Sequence, residues 1–442
     1  MTKYPQNVAP QLIINIDCGV LFMNKLIEQI IIKTKQLIDS EDFIRKHRIG
    51  NSFTRTRKLS FPNLLYYILA SENKSIGVNL AEIRQHFPHL QIPLISKQAI
   101  SKARQKISSG ACLELCQYFS GLYYKQKNDF ELWNGYHIYA IDGSTIQIPV
   151  SDENIDFWGS NPNQYGKEEP LASASLMYDV IEGIVIDSHI DKYRLNERTV
   201  AEKHIDFFMN LHITGKHLFL FDRGYPSYDL FSKMINNKLF FVMRLSASFK
   251  KLIQLDSCDS VVMYTPKGAK VPLKLRCVHF PVSDGSMEYL VTNITDPTFD
   301  IAVFKELYFL RWGIEGKYKE IKVSFKLEAF SGYKPEIIKQ DFYSLIFISN
   351  LAALIKNATD ARIERKANNK YRYQANKNFI INRVKKCIIH FLTQAIKIVT
   401  SIINDMMNEA FRNRSEIRPD RRFPRHKKYT RRKCYMNNKP CI

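Results

Sequence analysis

The sequence predicts an α/β core with helical, basic regions on either side of it. Three observations carry this. Apolar residues recur at helical spacing through the N-terminal part of the chain. From Tyr136 the period drops to two, and short, wholly apolar runs then alternate with helical stretches. After Ser331-Gly332-Tyr333 the helical spacing returns.

The 442 residues are 45% hydrophobic, enough for about two or three domains with sizeable cores. The formal net charge of +22 calls for a polyanionic partner, either nucleic acid or an anionic membrane surface. No apolar run reaches the roughly 18 residues of a membrane span. Leu12–Val20 is apolar but short, contains Asp17, and has neither a basic leader nor a small-residue cleavage site, so a signal peptide is not expected. Nucleic acid is therefore the expected partner, with no membrane involved. The eight cysteines have no zinc-ligand spacing. Cys112 and Cys116, one helical turn apart among apolar residues, read as a buried pair. Reduced thiols in a cytoplasmic, nucleoid-associated protein are the expectation.

Taken in order, residues 21–40 read as an amphipathic helix, and residues 41–60 are basic. Phe61–Ala70 and Asn79–His86 are helical, and Ser96–Ile107 starts at a serine cap. In this last helix Ala99, Ile100 and Ala103 make a narrow inner face. Lys97, Gln98, Ser101, Lys102 and Arg104 make an outer face of donors suited to phosphates and base edges. Short helices ending in such a basic one fit a helix-turn-helix; a plain basic surface helix fits equally.

Tyr136-His137-Ile138-Tyr139-Ala140-Ile141-Asp142 begins a long strand. Leu171–Val180 and Gly183–Ile190 form a hairpin, Asn196–Asn210 a helix, and His217–Phe221 a buried strand. A helix over Ser227–Ile235 and a strand over Leu239–Arg244 follow. Residues 248–299 read as a β-rich insertion, and 302–322 as one helix. Without the insertion the order is β-β-β-α-β-α-β-α, by analogy that of a ribonuclease-H-like domain. The expected division is therefore 1–54, a helical segment; 55–127, a helical DNA-binding domain; 128–247 and 300–360, the catalytic domain; 248–299, its insertion; and 361–442, a helical basic region. Its stretch from Arg412 to Lys433 carries eleven Lys and Arg against two acids and reads as a disordered phosphate-binding tail.

Two carboxylates stand out. Asp142 interrupts an apolar strand, a costly place for a charge unless it is paired or holds a metal. Asp222 ends a buried strand, where α/β ligand sites lie. In the ribonuclease-H-like order their strands are neighbours, and the helix 302–322 would bring Glu315 across them. Three carboxylates converging without a local cation call for hard divalent ions, Mg2+ or Mn2+, and two of them suit phosphodiester displacement. Tyr308, Arg311, Glu315 and Lys322 are spaced to share one stripe of their helix. Gly313 and Gly316 beside them leave room either for a nucleic-acid backbone or for tight packing on the sheet. Asp179, Asp187 and Asp191 read as solvated, Glu320 as a partner of Lys317 or Lys319, and Glu197 as a first-turn acid facing the helix dipole. The histidines show no ligand spacing.

The spacing Tyr308-x2-Arg311-x3-Glu315-x6-Lys322, with Asp142 in Ile-Asp-Gly-Ser-Thr and Asp222 in Phe-Asp-Arg-Gly-Tyr, resembles the insertion-sequence-four-type DDE transposases over about residues 55–360. The resemblance implies a metal-dependent cut-and-paste enzyme. Such enzymes act as homodimers on double-stranded DNA, both the paired terminal inverted repeats and the target. It implies Asp142, Asp222 and Glu315 as catalytic metal ligands, with Tyr308, Arg311 and Lys322 gripping the DNA end and Trp312 beside them. In relatives a tryptophan of the β-rich insertion stacks on a flipped base. Here Trp133, Trp158 and Trp312 all lie outside it, so either Tyr264, Phe280 or Met263 serves instead or the hairpin step differs. Two alternatives share parts of the reading. A catalytically silent DNA-binding protein needs only the helix-turn-helix, and a repair nuclease needs only the ribonuclease-H-like metal site.

Overall fold

A computed structural model describes residues 11–54, 59–72, 74–246, 249, 252, 257–282, 285–364 and 371–418, with side chains from residue 22. Most of the basic C-terminal tail lies outside these residues. So do Arg55, Arg57 and Lys58 of the basic stretch 41–60. Among the described residues no helix is long and apolar enough to cross a membrane.

The chain forms two compact units, residues 1–126 with 347–442, and residues 127–346. The first unit begins with α1 (Gln11–Asp39), α2 (Glu41–His47), α3 (Phe61–Ala70), α4 (Ile76–His86), α5 (Lys97–Arg104) and α6 (Gly110–Gln126). Serine caps start four of them: Ser40, Ser60, Ser75 and Ser96 each accept the N–H three residues on, satisfying donors that the first turn leaves unpaired. In α3, Leu64 to Leu69 are all buried, as expected of a helix that is apolar all round. Cys112 and Cys116 are both buried, as expected.

In α5 the outward donors are Lys97, Gln98 and Lys102, with Ser101 partly covered. Arg104 departs from the expected outer face: it is only 1% exposed. It stands one turn after the buried Ile100, and residues four apart share a face.

The second unit is built on one mixed sheet of nine strands. The chain runs β1 (Tyr136–Gln147), α7 (Asp152–Trp158), β2 (Ser160–Pro162), β3 (Glu168–Asp179), β4 (Val185–Lys192), α8 (Glu197–Asn210), β5 (Lys216–Phe221), α9 (Tyr228–Asn236) and β6 (Phe240–Arg244). β1 pairs antiparallel with β3 and parallel with β5, and β5 is parallel to β6. The first long strand and the His217–Phe221 strand are thus neighbours, as the expected order requires. All of β5 after Lys216 is buried, the signature of a parallel strand covered on both faces. The insertion supplies β7 (Asp259–Tyr264), β8 (Leu273–Pro281) and β9 (Met287–Thr292). These extend the same sheet, because β9 pairs with β6 and carries β8 and β7 beyond it.

The helix expected over 302–322 is divided into α10 (Ile301–Phe309) and α11 (Trp312–Lys319), followed by a π turn over Glu320–Ser324. Between them Leu310 and Arg311 keep helical dihedrals, but Leu310, Arg311, Gly313 and Ile314 all bond three residues back. The segment tightens there and widens at the π turn, the kind of irregularity that accompanies functional positions. α12 (Pro335–Glu364) contributes residues to both units. The chain then adds β10 (Arg372–Gln374), α13 (Lys377–Thr393), α14 (Ile396–Arg412) and β11 (Ser415–Ile417) to the helical unit. There α1 packs against α6, α13 and α14, and α3 against α13.

Two acids expected to be solvated are buried. Asp179 is 1% exposed and accepts the Ile181 and Glu182 N–H groups that close the β3–β4 hairpin. Asp187, also 1% exposed, accepts from His204 Nδ1 at 2.8 Å and stands 3.0 Å from His189 Nε2. Each carboxylate tolerates burial because local N–H groups replace its water.

Candidate active site

The parallel register of β1 and β5 pairs Ile141 with Phe221. The next residue on each strand is an aspartate, so Asp142 and Asp222 stand side by side where the two strands leave their pairing. Asp142 Oδ1 accepts the Gly143 N–H at 2.9 Å. α11 is pinned above by Tyr318, whose hydroxyl donates to the Asp142 carbonyl at 2.9 Å and lies 3.2 Å from the Ala174 carbonyl, the alternative acceptor for its one hydrogen. This holds the helix across β1 and β3 and brings Glu315 to the same end of the sheet.

A cation lies among these acids, contrary to expectation. Arg311 donates to Glu315 Oε1 at 2.9 Å and stands 3.7 Å from Asp142 Oδ2. Its side chain is 4% exposed, and its Nε–H has no hydrogen-bond partner among the described residues. The Tyr308 hydroxyl approaches Asp222 Oδ1 at 3.5 Å. Lys322, on the π turn, donates to Ser144 Oγ at 2.8 Å and to the Thr145 carbonyl at 2.6 Å. The four residues of the stripe therefore face the ends of β1 and β5 together.

Electrostatics follow from the crowding of acids. Burial pushes the Asp142 carboxyl up to about 6, with Asp222 and Glu197 adding to the rise and Arg311 opposing it. Burial, then Asp222, pushes Glu197 up. Burial lowers the Lys322 ammonium. For Arg311 burial works against the charge, and Tyr308, Asp222, Glu315 and Asp142 outweigh it, so the guanidinium is held more firmly charged.

Two of these neighbours carried no signal in the sequence. Glu197 has the signature of an ordinary first-turn acid, and Arg244 that of the end of a strand. Arg244 stands 4.0 Å from Asp222 Oδ1 and 3.2 Å from Glu288 Oε1. Gly313 resolves toward packing, since a Cβ there would stand 3.0 Å from Val180 Cγ1, whereas Gly316 faces open space. Glu320 pairs with Lys317 at 3.1 Å, as anticipated. Trp312 is 48% and its neighbour Phe309 71% exposed. In the insertion Phe280 is buried, and Met263 is 62% exposed.

Among the described residues, the one group of three His, Cys, Asp or Glu whose donor atoms all lie within 4.8 Å of one another is Asp187, His189 and His204. Both nitrogens of the buried His204 are taken up in hydrogen bonding, to Asp187 and to Ser175 Oγ. This group anchors α8 to β3 and β4. A cavity of about 200 Å³ opens beside it, lined by Ser144, Thr145, Ser175, His189, Asp191 and Glu197 among others.

Residues 133–351 match the protein-family model described as "Transposase DDE domain". The chain carries a transposase DDE domain. This transposase is accordingly a DNA-cleaving and strand-transferring enzyme, of a class that uses divalent metal ions. No curated protein matches its sequence. One similar solved structure is the cryo-EM structure of the piggyBac transposase synaptic complex with hairpin DNA. It shares 10% identity over 85% of each chain, with a TM-score of 0.48.

Proposed function

We propose that this transposase performs cut-and-paste transposition of the insertion-sequence-four type. It binds the terminal inverted repeats of a mobile element as a homodimer, frees a 3′-hydroxyl and joins that end to target DNA. The observation that best supports this is the single assembly at the end of β1 and β5: Asp142 beside Asp222, with Arg311 tying Glu315 to Asp142.

Asp142, Asp222 and Glu315 are the residues that would hold Mg2+ or Mn2+, two ions in this reading. The donors fit such ions, being all carboxylate oxygens. Gly143 and Gly224, beside the two aspartates, keep side chains of their own out of that corner, which a further carboxylate, Glu197, enters. Bound there, the ions would offset charge on the attacking and leaving oxygens of the phosphodiester. Arg311 offers an unpaired Nε–H to a DNA phosphate. Tyr308 and Lys322 flank it, and the exposed Trp312 supplies a surface on which a base can stack. In the helical unit, Lys97, Gln98, Ser101 and Lys102 of α5 present donors to duplex DNA.

The test is cleavage of DNA bearing the element's terminal repeats in Mg2+. Asp142→Asn, Asp222→Asn and Glu315→Gln are expected to retain DNA binding and lose cleavage. Wild-type cleavage by any one of them would remove that residue from the set. A wild-type protein that binds the repeats but never cuts them would favour the silent DNA-binding reading.

A further inference from the structure

Glu197 opens α8, whose Asn196 cap accepts the Arg198 N–H. An acid in a first turn is explained by the helix dipole alone if it points to solvent. This one points across the ends of β1 and β5. A Cβ on Gly143 would stand 2.9 Å from Glu197 Oε1, and a Cβ on Gly224 would stand 2.7 Å from Oε2. The two oxygens of one carboxylate therefore fill the spaces left by two glycines, one on the segment after each aspartate.

Neither Gly143 nor Gly224 has a positive φ, so backbone conformation does not call for glycine at either place. Close approach of another group does. The group that approaches is Glu197, and no Lys, Arg or His among the described residues lies within 4 Å of its carboxylate oxygens. Glu315 differs, since Arg311 already holds it at 2.9 Å. The direction of Glu197 is set further along its helix. Seven residues on, close to two full turns, the buried His204 locks α8 to Asp187 and Ser175.

We propose that Glu197 is a fourth carboxylate of the catalytic site and holds a divalent cation together with Asp142 and Asp222. The proposal rests on the reading of those two aspartates as metal ligands. Hard cations of six or more oxygen ligands accommodate an extra carboxylate readily. A solvent-accessible acid next to two others, without a cation of its own, completes such a shell at the face from which DNA would enter.

The experiment measures Mn2+ binding to the full-length protein without DNA, by electron paramagnetic resonance. In parallel, Fe2+-driven hydroxyl-radical cleavage of the polypeptide maps the ion's position. Wild type is expected to bind Mn2+ and to be cut near residues 142, 197 and 222. Glu197→Gln is expected to weaken binding about tenfold or more and to lose the cut at 197. Gly224→Ala keeps every carboxylate but displaces the flexible end of Glu197, and is expected to act in the same direction. Asp142→Asn and Asp222→Asn are the controls. If they lose Mn2+ while Glu197→Gln binds as wild type, the fourth-ligand proposal falls alone. If they too bind as wild type, the metal reading of the whole site falls with it.

Discussion

Asp142 is a carboxylate that the fold would rather hold neutral. Its folded pKa of about 6 lies above the ordinary 3.8, so between those values the metal-free folded protein keeps a proton that the unfolded chain has released. That contribution to stability is full below about pH 4 and is lost as pH rises through 6. Asp142→Asn removes the titrating charge. The variant is expected to exceed wild type in metal-free stability by about 1–3 kcal/mol at pH 7.5, with the gap closing toward pH 4. Chemical denaturation in chelator at both pH values measures it, and equal stabilities at pH 7.5 would refute it. Stability rising as activity is lost is the pattern of a site whose charges await cations and substrate.

At the scale of elements, the segment from α10 through the π turn carries most of the site's geometry. Within it lies a buried ion pair: Lys317 is 1% exposed, and its Nζ lies 3.1 Å from Glu320, which is 8% exposed. Removing one partner of a buried pair leaves an uncompensated charge. Lys317→Ala is expected to cost about 3–5 kcal/mol, while Lys319→Ala, at an exposed position, should cost under about 0.5 kcal/mol. Urea titrations of the two variants read the difference, and similar midpoints would show that the pair adds no stability. The spacing of Tyr308, Arg311, Glu315 and Lys322 is legible as a stripe from helical periodicity alone. The tight link at Leu310 and Arg311 and the π turn are not, because their hydrogen bonding answers to packing on β1 and β3 rather than to local propensity.

At the scale of the molecule, the charge of +22 predicts contact with DNA phosphates over a broad surface. Its sequence-independent DNA affinity is expected to drop by about 10³-fold or more between 50 and 200 mM salt, as for proteins that neutralise about six phosphates or more. Fluorescence anisotropy on random duplex DNA tests this, and a flat salt dependence would contradict it. The helical unit joins residues from both ends of the chain, with α1 against α6, α13 and α14. The insertion strands are likewise not a separate layer but three more strands of the central sheet.

Most elements of the α/β core, and Asp142 and Asp222 as candidate site residues, are legible in the sequence. Periodicity and short apolar runs are local properties, and an acid inside one run or at the end of another is visible without any partner. What surrounds those acids is visible only once the chain is folded. Arg311 between Glu315 and Asp142, Glu197 between two glycines, Arg104 turned inward and Asp187 buried against His204 all depend on which faces of distant segments meet. A first-turn glutamate has the same local signature whether it points to water or across two strand ends. The packing of α8 through His204 makes that choice here.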